Sequence, residues 1–117
     1  MPNDIFRHTD DATTFPAGTL IFSEGESSNG LMYVLQEGEV DIFVRDEHID
    51  TIGPGECLGE IALVDNGPRT ATAVAKGECK LVPIDTEGFK YLVQQTPAFA
   101  LVVMRTMAAR LRIDRDL

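Results

Sequence analysis

Three features of this sequence predict a mainly β, single-domain protein ending in helices. Short β-rich runs punctuated by glycine fill Thr13 to Asp85, the hydrophobic period becomes helical after Asp85, and the chain is 117 residues long. The glycine-punctuated part reads as an all-β sandwich, roll or barrel. A domain of this length buries roughly two-thirds of its unfolded surface, enough for one core, and leaves no room for a second folded domain. The expected organisation is an N-terminal segment over 1–12, a β unit over 13–85 and C-terminal helices over 86–117.

Residues 1–12 are polar and weakly patterned, and are expected to be loosely held or a short helix. Strands are predicted at about Thr19–Phe22, Leu31–Gln36, Glu39–Val44, Ile49–Ile52, Thr70–Ala75 and Lys80–Ile84. Glu37-Gly38 reads as a tight hairpin turn between the second and third, and Gly53-Pro54-Gly55 as a break that a central strand does not tolerate. Val40, Ile42 and Val44 alternate with polar residues, so one face of that strand is core and the other wet. In the preceding strand Leu31, Tyr33 and Leu35 share a face, but Met32 and Val34 are apolar too. Such a strand is covered on both sides, as a central one is. Phe89, Leu92 and Val93 mark one face of a helix ending near Thr96. Thr96-Pro97 then reads as an N-cap and first turn of a second helix running to Arg112 or beyond, with a packing stripe of Ala100, Val103, Met107 and Leu111.

Composition excludes several functions. Nineteen acidic against ten basic residues give a formal charge of -9, which repels a phosphate backbone and argues against direct nucleic-acid binding. An anionic ligand must then be captured by a few aimed donors. No apolar run is long enough for a membrane segment, and Met1 to Arg7 lacks the flanks of a secretion signal, so a cytoplasmic protein is expected. Cys57 and Cys79 form no metal-type pair and read as reduced, packed thiols. Only His8 and His48 are present, so a β-roll metal enzyme lacks its ligand set, and no Ser-His-Asp or Cys-His nucleophile is recognisable. No catalytic residue, metal or cofactor is expected.

The informative segment runs from Glu56 to Ala71. Gly59 lets backbone approach a ligand closely, and Glu60 to Leu63 suit one short helical turn whose N–H groups face an anion. Asp65-Asn66-Gly67-Pro68 turns the chain and returns Arg69 to the same point, where a guanidinium holds two oxygens of one phosphate. Ionised Glu60 only accepts hydrogen bonds, which suits a sugar hydroxyl, and Thr70 adds a hydroxyl near the phosphate or a base edge. On chemistry alone, a Glu60–Arg69 pair across a surface loop accounts for the same residues.

The order Gly59-Glu60-Ile61-Ala62-Leu63, a short turn and Pro68-Arg69-Thr70-Ala71 resembles the phosphate-binding cassette of the cyclic-nucleotide-binding family, shared by catabolite activator proteins, cyclic-nucleotide-dependent kinases and cyclic-nucleotide-gated channels. Phe15 to Phe22, Gly25, Tyr33-Val34-Leu35 and Gly38 extend the resemblance over nearly the whole chain. It implies a jelly-roll, or double-stranded β-helix, with the cassette at 56–71 and hinge and lid helices after it. It also implies a regulatory domain for cAMP or cGMP. Arg69 would hold the exocyclic phosphate oxygens and Glu60 the ribose 2′-hydroxyl, with amides of Gly59, Ile61 and Ala62 completing the cradle and Leu58 and Thr70 supporting it. Arg110, late in the last helix, is the candidate cap over the base; a solvated arginine near a helix C-terminus is the plainer reading of it. Two departures from the family pattern are expected: no winged or helix-turn-helix DNA-binding module follows the last helix of the chain as given, and the N-terminal helix usual in the family is short or missing. A homodimer or a separate effector protein remains open as partner, and a relative that keeps the roll only for protein contact is the alternative function.

Overall fold

The computed structural model describes residues 11–116 apart from residue 66, so all but the last two residues of the expected N-terminal segment lie outside the described residues. Eight strands are described: β1 (Thr13–Phe15), β2 (Leu20–Phe22), β3 (Met32–Glu37), β4 (Val40–Val44), β5 (Glu47–Ile52), β6 (Cys57–Leu58), β7 (Thr72–Ala75) and β8 (Cys79–Ile84). A 3-10 turn over Glu60–Leu63 precedes β7, and α1 (Thr86–Gln95) and α2 (Ala98–Asp116) follow β8. The strands form two antiparallel four-stranded sheets, ordered β1-β8-β3-β6 and β2-β7-β4-β5. This is the mainly β roll with C-terminal helices that the sequence predicts.

Every predicted strand is present to within two residues at either end, whereas β1 and β6 were not foreseen. Both are too short to show a period. β1 pairs with β8 through Thr13 and Leu81, and β6 pairs with β3 through Cys57 and Val34, so their existence depends on distant partners.

The expected hairpin at Glu37-Gly38 is not one. β3 pairs with β6 and β8, and β4 with β5 and β7, so the chain leaves one sheet and enters the other at this point. Gly38 is required there: its φ is 90°, and a Cβ would lie 2.5 Å from the Glu78 carbonyl oxygen and 2.7 Å from the Cys79 Cβ. The true two-residue hairpin joins β4 to β5 at Arg45 and Asp46, with φ of 50° and 65°. Positive φ at both central residues matches the right-handed twist of the flanking strands. No glycine or asparagine announces this turn. Gly53-Pro54-Gly55 breaks the chain as expected, between β5 of one sheet and β6 of the other.

The β3 run Met32-Tyr33-Val34-Leu35 is buried throughout because it serves two cores. Tyr33 and Leu35 point between the sheets with Val40, Ile42, Ile52, Leu58 and Leu81. Met32 and Val34 point outward to a second core with Val82, Ile84, Phe99 and Val103, closed by the two helices. Asp85 caps α1, its Oδ1 accepting the Gly88 N–H at 2.7 Å, and Phe89, Leu92 and Val93 pack on the second core as predicted.

The predicted stripe of α2 is corrected in part. Phe99 and Val103 are the buried residues, Ala100 and Met107 are half-buried, and Leu111 is 62% exposed. Met107 still packs on the second core, whereas Arg110, one turn on, faces the start of the Glu60–Leu63 turn.

Candidate functional site

The residues singled out in the sequence converge on one cleft. Gly59, with φ of 73°, ends β6 and starts the 3-10 turn over Glu60–Leu63. A Cβ at Gly59 would lie 2.7 Å from Arg69 Nη1 and 3.2 Å from Phe22, so only glycine admits the arginine at this distance. The Ala62 N–H donates to the Gly59 carbonyl at 3.1 Å, within the turn itself. Of the three amides named from the sequence, those of Gly59 and Ile61 stand ahead of that bond. Asp65 Oδ1 accepts the Gly67 N–H at 2.8 Å and tightens the loop that returns the chain to Arg69.

Arg69 is fixed through backbone and side chain alike. Its N–H donates to the Glu26 carbonyl, and its carbonyl accepts the Gly25 N–H, both at 2.8 Å. The side chain is only 6% exposed. Nη2 donates to Asn29 Oδ1 at 2.7 Å and to the Leu31 carbonyl at 3.0 Å, Nη1 reaches the Gly59 carbonyl at 3.4 Å, and the guanidinium stands 4.2 Å over the Phe22 ring. Burial lowers its pKa from the usual guanidinium value, opposed by Tyr33, Glu26 and Glu60. Among the described residues, no carboxylate lies within ion-pair distance of it.

Among the described residues Glu60, 3% exposed, is the other buried charged one. It does not pair with Arg69, so the surface-loop alternative fails on both partner and burial. Glu60 Oε1 instead accepts from Arg110 Nη1, while Arg110 Nη2 donates to the Cys57 carbonyl at 2.7 Å. Arg110 is therefore neither a solvated helix-end charge nor a side chain free to lie over a base. It straps α2 to the start of the cassette. The Cys57 thiol lies 3.9 Å from the same Glu60 oxygen.

Burial, followed by the Glu60 charge, pushes the Cys57 thiol up to about 11, and burial also raises Cys79. Both thiols are free and buried. Because raised pKa values deplete the thiolate at pH 8, neither should be alkylated in the folded protein, and both should react once denaturant unfolds it. Mass spectrometry before and after denaturation checks this.

The cleft has two adjoining chambers that share Ile42, Glu60, Ile61, Thr70, Ala71 and Arg110. One is walled by Leu58, Gly59, Ala62 and Arg69 and is the charged end. The other is apolar, with Val44, Ile49, Met107 and Leu111. The arrangement offers a buried cation, a carboxylate beside it and an apolar recess, each within reach of one ligand. Phe22, Asn29 and the apolar recess were not foreseen from the sequence. Their link to Arg69 and Glu60 exists only across strands.

Among the described residues no helix is long and apolar enough to cross a membrane, and no cluster of His, Cys, Asp and Glu is placed to hold a metal ion.

The cyclic nucleotide-binding domain family matches residues 12–96. A curated relative, the cAMP-dependent protein kinase regulatory subunit of Eremothecium gossypii, is 38% identical over 76 residues, which are 65% of this chain and 16% of that protein. The chain thus spans less than a fifth of that relative's length. Among solved structures, cAMP-bound PfPKA-R aligns with a TM-score of 0.78 at 27% identity, covering 90% of this chain and 36% of that one. The catabolite activator protein of Thermus thermophilus aligns with a TM-score of 0.75 at 28% identity, covering 95% and 54%. Fold, cassette and family match agree: the chain belongs to the cyclic nucleotide-binding domain family.

Proposed function

We propose that this domain is a sensor for a cyclic purine nucleotide, cAMP or cGMP, and that it has no catalytic activity of its own. The observation that carries the reading is Arg69, a buried cation without a carboxylate partner among the described residues, facing a cleft whose neighbouring group is the Glu60 carboxylate. A cyclic phosphate diester beside a ribose hydroxyl answers both. Arg69 and the Gly59 and Ile61 amides hold the phosphate oxygens, Glu60 accepts from the 2′-hydroxyl, and Leu58 and Thr70 wall the site. The base enters the apolar recess against Met107 and Leu111, which take the capping role in place of Arg110. The cAMP-bound relative at 27% identity supports the ligand class.

Because α2 supplies both a wall of the recess and the strap to Glu60, an occupied cleft favours one helix position over others. That position is the output, read by an effector protein in the cytoplasm. A ligand that binds only the folded state at a hundredfold over its Kd stabilises it by about 2.7 kcal/mol. Titration with cAMP and with cGMP should therefore raise the melting temperature by several degrees for at least one, whereas open-chain AMP should not. No shift with either cyclic nucleotide would overturn the reading.

A second reading is a protein-contact module, favoured by the exposed Leu101, Met104 and Leu111 on α2. A tight dimer by sedimentation, with no response to either nucleotide, is its signature.

A further inference from the structure

The guanidinium of Arg69 is held by two side chains that the cassette does not contain, Phe22 in the wall of the charged chamber and Asn29 outside it. Asn29 lies on the β2–β3 loop, is itself exposed and does not line either chamber. Its Oδ1 accepts from Arg69 Nη2 at 2.7 Å and from the Leu31 N–H at 3.1 Å, and its Nδ2 points to the Tyr33 hydroxyl at 3.5 Å. The amide is thus fixed at both ends. Phe22 is fixed too, buried and stacked on Tyr33 with centroids 6.4 Å apart and planes 25° off parallel. Its ring lies 4.2 Å from the Arg69 guanidinium carbon.

These two contacts constrain different motions. The ring restrains displacement of the guanidinium across its face, and the Asn29 and Leu31 oxygens restrain its swing about the side-chain axis. A long flexible side chain left unrestrained loses rotamer freedom on binding an anion, so a restrained one binds more tightly for the same contacts. We propose that Asn29 and Phe22 are positioning residues that aim the Arg69 guanidinium into the cleft, Asn29 acting on a bound phosphate only through it. The proposal rests on the reading of Arg69 as the phosphate ligand.

Calorimetry with whichever of cAMP and cGMP binds the unmutated chain more tightly tests it. Asn29→Ala removes one hydrogen bond to a charged group and is expected to weaken binding about tenfold. Phe22→Leu, which keeps an apolar side chain but no ring, is expected to weaken it about fivefold. Asn29→Gln, which keeps a neutral amide acceptor within reach of the guanidinium, should restore part of the lost affinity. In an Arg69→Ala background Asn29→Ala should cost nothing further, because nothing is left to aim. Unchanged binding by Asn29→Ala, or a loss that adds in full to that of Arg69→Ala, overturns the proposal. Asn29 is exposed, so its variants decide the matter even if Phe22→Leu fails to fold. If Arg69→Ala itself binds like the unmutated chain, the phosphate reading has failed instead, and the positioning role falls with it.

Discussion

Replacing Arg69 by alanine is expected to weaken cyclic-nucleotide binding by about 2 kcal/mol or more, roughly thirtyfold, while the domain still folds. With a formal charge of -9, the protein as a whole repels an anion, so nearly all the attraction must come from groups at the cleft. Glu60, the nearest carboxylate there, is already engaged by Arg110, leaving Arg69 as the cation whose charge is not met by a carboxylate partner among the described residues. Its hydrogen bonds to Asn29, Leu31 and Gly59 occupy part of the fork and keep the guanidinium over the Phe22 ring. Arg69→Lys separates charge from geometry: the ammonium keeps the charge but cannot span these acceptors and a phosphate together, and binding should fall between the two. Calorimetry on the three proteins, with melting temperatures of the ligand-free forms as the control for folding, measures the effect. Equal affinity in all three would remove Arg69 from the site.

What could be read from the sequence divides along contact distance. The cassette was legible because Gly59, Glu60 and Arg69 lie within a dozen positions, and their chemistry is stated by residue type and order. The 3-10 turn over Glu60–Leu63 was legible for the same reason. β3 was read correctly as covered on both faces, since an unbroken apolar run allows little else. Glu37-Gly38 shows the limit. The turn signal is local and real, but whether the strands beside it pair is decided by β8 and β6 for β3, and by β5 and β7 for β4. Asn29 meets Arg69 from 40 positions away, and Arg110 meets Glu60 from 50, so no window of sequence contains either pair. The helical position of Arg110 was visible. Its contact with Glu60 was not.

That strap makes the second large effect one of stability. Glu60 is 3% exposed, and its partner Arg110 is still largely covered, so the pair is desolvated on the carboxylate side and partly wet on the other. Removing one member of a buried pair leaves the other without compensation, which is far more costly than the net worth of the pair. Arg110→Ala strands the Glu60 carboxylate with the Cys57 thiol at 3.9 Å, and also takes the donor from the Cys57 carbonyl. The expected loss is about 2–4 kcal/mol, set below the value for a fully buried pair because water reaches the Arg110 side. For a domain of this size that lowers the melting temperature by roughly 8–16 °C. The cause is distinguished by adding Glu60→Gln to the same chain. If the uncompensated charge is what destabilises Arg110→Ala, the neutral amide should return much of the loss, so that the double variant melts above the single one. If α2 is held mainly by Phe99 and Val103 on the second core, the two substitutions will simply add, and the strap will have been a contact without consequence.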